Sequence, residues 1–240
     1  MTKVPKTAMV MAAGLGTRMR PLTNSTAKPL IPVAGKAMID ILLDNLTAAG
    51  VERAVVNVHW CADQVEQHLS KRDDLDIVIS DERKDLLETG GGLAKARPLL
   101  GEDPIFVVNT DAFWGPPGPE PLIDLAEGFD ADLMDEALLL ADKKRSLGFN
   151  GKGDFFFDDE SRLTRRGDAL TAPWAYAGVR ILKPQLYDHR TVEPFSANLI
   201  WDELLPKQRI YGVPLDRFWL HVGDPKALKE AELWMRQHGR

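Results

Sequence analysis

The sequence predicts an α/β protein, a three-layer α/β/α Rossmann-like fold on a mixed, mostly parallel sheet. Two observations predict it. Short apolar runs alternate with stretches of helical spacing through the first half of the chain, the order that gives a doubly wound sheet. The residues that look most chemical, in the loop after Ala13 and at 57–59 and 109–111, all fall at the carboxyl ends of those runs. Open α/β sheets bind their ligands there.

Residues 7–13 (TAMVMAA) form a short apolar run ending at Gly14, as a buried strand does. Residues 38–49 place Met38, Ile41, Leu42, Leu46 and Ala49 at helical spacing, with Gly50 as the stop. Residues 53–58 (RAVVNV) read as the next strand and 62–69 as a helix. A third strand is expected at 75–79, a short helix at 93–100 closed by Gly101, and a fourth strand at 105–108 (IFVV). Residues 115–121 (GPPGPEP) read as a turn-rich loop. Beyond it, strands are expected at 133–141, 153–157 and 174–182. Helices are expected at 198–205 and 225–238, the last with Asp224 as its N-cap. With no repeat or linker visible, residues 1–240 read as a single domain whose second half completes the sheet and forms a substrate lobe.

Composition narrows the function. The 240 residues are 44% hydrophobic and 28% charged, as in an ordinary globular protein. A net charge of -6 argues against a nucleic-acid partner, although a local cluster of Arg and Lys can still hold phosphates. The single cysteine, Cys61, excludes an intrachain disulfide and a cysteine zinc site. No signal-peptide pattern and no apolar run near the ~18 residues of a membrane span is present, so a cytoplasmic protein with no membrane partner is expected.

The strongest motif is residues 12–23 (AAGLGTRMRPLT), followed by 28–32 (KPLIP). Gly14 and Gly16 let the backbone approach an anion, and exposed N–H groups in such a loop bind phosphate oxygens. No Gly-Lys-Ser/Thr follows, so it is not a Walker A loop, and Met19 stands where a dinucleotide fingerprint needs its third glycine. That break argues against a dinucleotide-dependent oxidoreductase. Arg18 and Lys28 add two cations able to neutralise a triphosphate, although the glycines alone suit a tight strand-to-helix turn equally well. Residues 88–94 (ETGGGLA) set three glycines before a helix, a backbone able to pack on a flat base or simply a flexible loop. Asp111 follows the IFVV strand, well placed for magnesium, a hard cation that takes carboxylate plus substrate phosphates.

These motifs together resemble the sugar-nucleotidyltransferase family, whose signature is G-x-G-T-R followed by a Lys-Pro pair. The resemblance extends through most of the chain. It implies nucleotidyl transfer from an NTP to a sugar 1-phosphate, with a nucleotide-binding half at about 1–112 and a sugar-phosphate-binding half at about 113–240. It implies that Ala12, Ala13, Gly14, Gly16 and Thr17 wrap the NTP phosphates, that Arg18 binds the leaving pyrophosphate and that Lys28 binds the reacting phosphates. Glu88, Thr89, Gly90 and Gly91 would lie beside the base, with Asn57, His59 and Asn109 lining the pocket. Asp111 would ligate Mg2+, or Mn2+ as an option. Gly153, Asp154, Tyr176, Gly178, Asn198 and Trp201 would face the sugar phosphate, and Arg165 or Arg166 stands about where relatives carry a phosphate-holding lysine.

One position departs. Relatives carry Trp-x-Asp-x-Gly-Thr where this chain reads WLHVGD at 219–224, so His221 stands at the second metal position. Histidine suits magnesium poorly. It ligates another ion, touches phosphate, yields to Asp224, or simply bonds a neighbour. Among subfamilies the chain is most similar to uridylyltransferases acting on N-acetylmuramate 1-phosphate in peptidoglycan recycling, which implies UTP as partner. Guanylyl transfer to a mannose or heptose 1-phosphate is the alternative, and a catalytically silent nucleotide-sugar-binding protein a further one. A monomer or small homo-oligomer is expected.

Overall fold

A computed structural model describes residues 4–238. Strand β1 (Thr7–Met11) enters a long loop with 3-10 turns at Thr17–Met19, Leu22–Asn24 and Lys28–Leu30. The short strands β2 (Pro32–Val33) and β3 (Lys36–Ala37) then form a hairpin. Its two turn residues, Ala34 and Gly35, both have positive φ (51° and 88°), the geometry that matches the twist of paired strands. Helix α1 (Met38–Ala49) ends at Gly50, whose φ of 94° closes it with bonds to the Leu46 and Thr47 carbonyls. Then come β4 (Arg53–Val58), α2 (Ala62–Leu69), β5 (Asp76–Asp81), α3 (Glu88–Ala96), β6 (Ile105–Asn109) and β7 (Ala112–Gly115).

The second half runs α4 (Glu120–Glu127), β8 (Glu136–Asp142), β9 (Ser146–Leu147), β10 (Phe155–Phe157), β11 (Leu163–Arg165) and β12 (Trp174–Leu182). It finishes with α5 (Asn198–Leu204), β13 (Ile210–Pro214), β14 (Phe218–His221) and α6 (Pro225–His238). Asp224 caps α6 as expected, accepting from the backbone N–H groups of Lys226 and Ala227.

The main sheet runs β11-β10-β12-β6-β1-β4-β5, with β8 and β13 joined through β12. β1 is parallel to both β4 and β6, and β5 is parallel to β4. β12 runs antiparallel to β6, which makes the sheet mixed. Alternation along each strand sorts the core into two layers. Ala8 and Val10 pack in the cluster that holds Ile39 and Leu43 of α1, Val65 of α2 and Leu125 of α4. Met9 packs on the other face with Leu93 of α3 and Ile200 of α5. The connection after β1 leads outward to β4, whereas β6 returns to β1's other side over the opposite face. A crevice therefore opens at the carboxyl ends of β1 and β6, the switch point where such sheets take ligands.

Several elements differ from the sequence expectation. The helix expected at 93–100 starts at Glu88 and takes in the three glycines. The supposed loop at 115–121 runs straight into α4, because prolines are tolerated in a helix's first turn, where no N–H partner is needed. Strands β7, β11, β13 and β14 were not expected, being short or lacking clear alternation.

Candidate active site

Two cavities open on the crevice. The first, about 500 Å3, is lined by the post-β1 loop (Ala12, Ala13, Gly14, Gly16, Thr17, Arg18), by Lys28 and Asn57, and by Glu88. The second, about 350 Å3, is lined by Asp154, Arg165, Tyr176, Gly178, Arg180, Asn198, Trp201 and His221. They share one wall: Met11, Thr89, Asn109, Asp111 and Ser196.

The loop of the first cavity is fixed from below. Gly16 has φ 61°, and its carbonyl accepts from the Thr23 hydroxyl at 2.7 Å. A Cβ there would stand 2.8 Å from Thr23 Cγ2, so only glycine fits. Asn57, fully buried at the end of β4, accepts from the Ala12 N–H at 2.7 Å and the Ala13 N–H at 3.3 Å. Its amide donates to Glu82 Oε1 at 2.8 Å. Those two loop N–H groups are therefore engaged by Asn57, while both residues line the first cavity. Glu82 is also fully buried, and its other oxygen accepts from the Leu87 N–H at 3.3 Å, just before α3. Burial pushes its carboxyl above the ordinary value, against the hydrogen bonds from Asn57 and Leu87.

Asp111 sits on the shared wall with its side chain 21% exposed, and Lys28 Nζ is 2.6 Å from its Oδ2. Burial opposes ionisation of this carboxyl, but Lys28, His221 and Arg18 together outweigh it and hold it below the usual value. Strand pairing brings His221 here. It registers against Ala112, and the Val222 N–H donates to the Asp111 carbonyl at 2.8 Å. His221 Nε2 is 3.9 Å from Asp111 Oδ2, its ring stacks on Trp219, and its buried Nδ1 has no hydrogen-bond partner among the described residues. Arg18 is exposed and, among the described residues, has no carboxylate within ion-pair distance. Its guanidinium passes close to Gly223, where a Cβ would stand 3.3 Å from Nη1.

In the second cavity, Gly178 has φ 84° at an irregularity in β12, and a Cβ there would meet that of Ala112 at 2.6 Å. Asp154 accepts from the Tyr176 N–H at 2.9 Å. Trp201 lies edge-on to Tyr176 and donates its indole N–H to buried Glu136 at 2.7 Å. Glu136 pairs with buried Arg180 at 3.0 Å.

Some expected site residues lie elsewhere. Gly90 and Gly91 line neither cavity; they pack α3 against residues 193–195, donating their N–H groups to the Phe195 carbonyl. Gly153 is buried against the Ala172 backbone, outside both cavities. His59 bonds the Glu82 carbonyl at 2.7 Å instead of facing the crevice. Arg166 bonds the carbonyls of Gly167 and Ala169 in its own turn, whereas Arg165 reaches the second cavity. Glu82, Glu136 and Arg180 were missed, since each is matched to partners far away in the sequence and carries no local signal of them.

Chemically, the arrangement offers a cationic compartment (Arg18, Lys28) and a second, partly aromatic compartment that meet at one ionised carboxylate.

Residues 7–149 match the family model described as nucleotidyl transferase. The chain is 47% identical, over 97% of its length and 98% of the relative's, to N-acetylmuramate alpha-1-phosphate uridylyltransferase of Caulobacter vibrioides. It is 34% identical, over 94% and 96%, to the enzyme of the same name from Neisseria meningitidis serogroup B. Its fold is similar to the inositol-1-phosphate CTP transferase from T. maritima, with a TM-score of 0.79 and 17% identity over 97% of this chain and 96% of that one. On the matched motif, the nearly full-length relatives and the fold, this chain belongs to the nucleotidyl transferase family.

Proposed function

We propose that the protein transfers a uridylyl group from UTP to N-acetylmuramate 1-phosphate, releasing pyrophosphate, as a cytoplasmic enzyme of peptidoglycan recycling. The observation that carries this reading is the pair of cavities meeting at Asp111, one cationic and one lined by Asp154, Tyr176 and Trp201. The two full-length relatives support the choice of substrates.

The NTP lies in the first cavity with Arg18 and Lys28 on its phosphates. The sugar 1-phosphate enters the second, so that its phosphate oxygen meets the α-phosphorus at the shared wall. An acceptor oxygen attacks, the bond to the β,γ-phosphates breaks, and pyrophosphate leaves toward Arg18. The nucleophile is already anionic, so the reaction needs no general base. Positioning and charge neutralisation supply the acceleration.

The residues fit a divalent cation in part. Asp111 is ionised and aimed at the junction, and one carboxylate completed by substrate phosphates is a usual magnesium set. Among the described residues, no cluster of three or more acidic, histidine or cysteine side chains forms a cage. Asp111 would hold the metal, which acts when bound as a Lewis acid and template for the phosphates. His221, with Nε2 at 3.9 Å, favours manganese over magnesium if it joins.

The test is pyrophosphate release across a matrix of UTP, GTP, CTP, ATP and dTTP against the 1-phosphates of N-acetylmuramate, N-acetylglucosamine, glucose and mannose, with Mg2+ and then Mn2+. Release with UTP and N-acetylmuramate 1-phosphate is expected. Release confined to another pair, such as GTP with mannose 1-phosphate, overturns the substrate assignment. Release in no well overturns the activity.

A further inference from the structure

The second cavity contains a guanidinium, that of Arg165, to which the reaction proposed above gives no role. Arg165 lines this cavity but not the donor cavity, and it is absent from the shared wall. A sugar 1-phosphate that sets its phosphate at Asp111 must extend its ring toward the unshared residues, among them Asp154, Arg165 and Trp201. Arg165 thus faces the sugar's own substituents. We propose that Arg165 reads a carboxylate on the acceptor sugar, so that the enzyme selects acidic sugar 1-phosphates over their neutral counterparts. This inference rests on the uridylyltransferase reading above.

Three observations carry it. First, the guanidinium is held in place by aromatic rings: its Cζ lies 5.2 Å from the centroid of Phe155 and 5.3 Å from that of Trp201. Trp201 is itself anchored through its indole N–H on Glu136, and Arg180 lies 5.4 Å from the same ring. A planar fork fixed in this way is matched to the two oxygens of a carboxylate.

Second, the fork already holds one. Arg165 Nε and Nη2 donate to Asp202 Oδ1 at 3.1 and 2.7 Å, and Nη1 donates to Asn198 Oδ1 at 3.0 Å. Asp202 sets a single carboxylate oxygen, Oδ1, between two of these donors.

Third, the exchange is cheap. The Asp202 side chain is 60% exposed, and exposed ion pairs contribute little, so an incoming carboxylate displaces it at small cost. A neutral sugar leaves Asp202 in place and gains nothing from the fork. Arg180, by contrast, is buried and compensated by Glu136, and belongs to the platform.

N-acetylmuramate and N-acetylglucosamine differ only by a lactyl ether that bears a carboxylate, so their 1-phosphates isolate this contact. The experiment measures kcat/KM for both acceptors with saturating UTP, in the wild type and in Arg165→Met, with thermal melting as the control for folding. The wild type is expected to prefer the acidic acceptor, and Arg165→Met to lower that preference by about 10- to 100-fold, the effect of a charge-assisted hydrogen-bond pair. Equal losses for both acceptors, with the preference unchanged, overturn the proposal and assign Arg165 to the common phosphate. Equal wild-type use of both acceptors also overturns it while leaving uridylyl transfer intact. Failure of UTP with every acceptor is instead a failure of the proposed activity.

Discussion

Lys28 Nζ stands 2.6 Å from Asp111 Oδ2 across 83 positions of sequence, which places one ion pair where the two cavities meet. The Lys28 charge helps to hold the Asp111 carboxyl below its ordinary value. Removing Lys28 takes away the largest contribution that lowers the Asp111 carboxyl.

Lys28→Ala is therefore expected to lower kcat about 100- to 1000-fold, the range seen when one charge-stabilising donor is lost. It also shifts the pH profile. In the wild type the Asp111 carboxyl lies below its ordinary value, so its ionisation is complete at neutral pH and is lost only as pH falls through that lowered value. In the variant this acid limb moves to higher pH. Steady-state rates between pH 4 and 8 measure both effects, and a limb that stays put contradicts the coupling.

Asn57→Ala strips a donor from Glu82 and leaves the Ala12 and Ala13 N–H groups unpaired beneath the loop. The expected loss is about 2–4 kcal/mol of stability. Its sign with pH follows from Glu82, whose carboxyl is raised by burial and is pushed higher when the Asn57 bond goes. A raised acid destabilises the fold as pH rises from its unfolded toward its folded pKa. Thermal melts of the variant should show a larger deficit at pH 8 than at pH 5.

The sheet core was legible because its signals are local. The apolar alternation of β1, β4 and β6 and the Gly50 stop need no knowledge of partners. The lining of the first cavity was legible for the same reason, since Gly14, Gly16, Arg18 and Lys28 lie in one stretch. What escaped reading depends on distant contacts. The strand of His221 exists because β14 pairs with β7, a hundred residues earlier in the chain. The run from Gly90 to Gly92 looked like a loop beside a base. Its absent side chains instead accommodate residues 193–195 on one side and Glu82 on the other, which sequence spacing cannot show.

Gly91→Ala tests that packing. The new methyl would collide with the Glu193 carbonyl, a backbone atom that cannot swing aside. An overpacking cost of about 1–3 kcal/mol is expected. Because the displaced segment runs into Ser196 and Asn198, the KM for the sugar 1-phosphate should rise more than that for the NTP. A stable variant with unchanged KM values removes this link.

Asp135 sits away from the site, before β8, where Arg209 grips both of its oxygens and Lys183 bonds one at 2.8 Å. The Arg209 bonds first, then Lys183, lower its carboxyl to about 2 despite partial burial. A lowered acid stabilises above its unfolded value, and the gain is lost as pH falls from about 4 to 2. Asp135→Asn should cost about 1–2 kcal/mol at pH 7 and nothing near pH 2, which flattens the acid side of the melting curve.

On the proposed reaction, the wall common to the two cavities, from Met11 through Asp111 to Ser196, also orders the departure of the products. The bond that forms crosses this wall, whereas the bond that breaks lies wholly on the cationic side. Pyrophosphate has a single compartment to vacate, but the nucleotide sugar remains threaded through both. The molecule that emerges last is the one that spans the partition, and until it withdraws neither substrate has a place to enter.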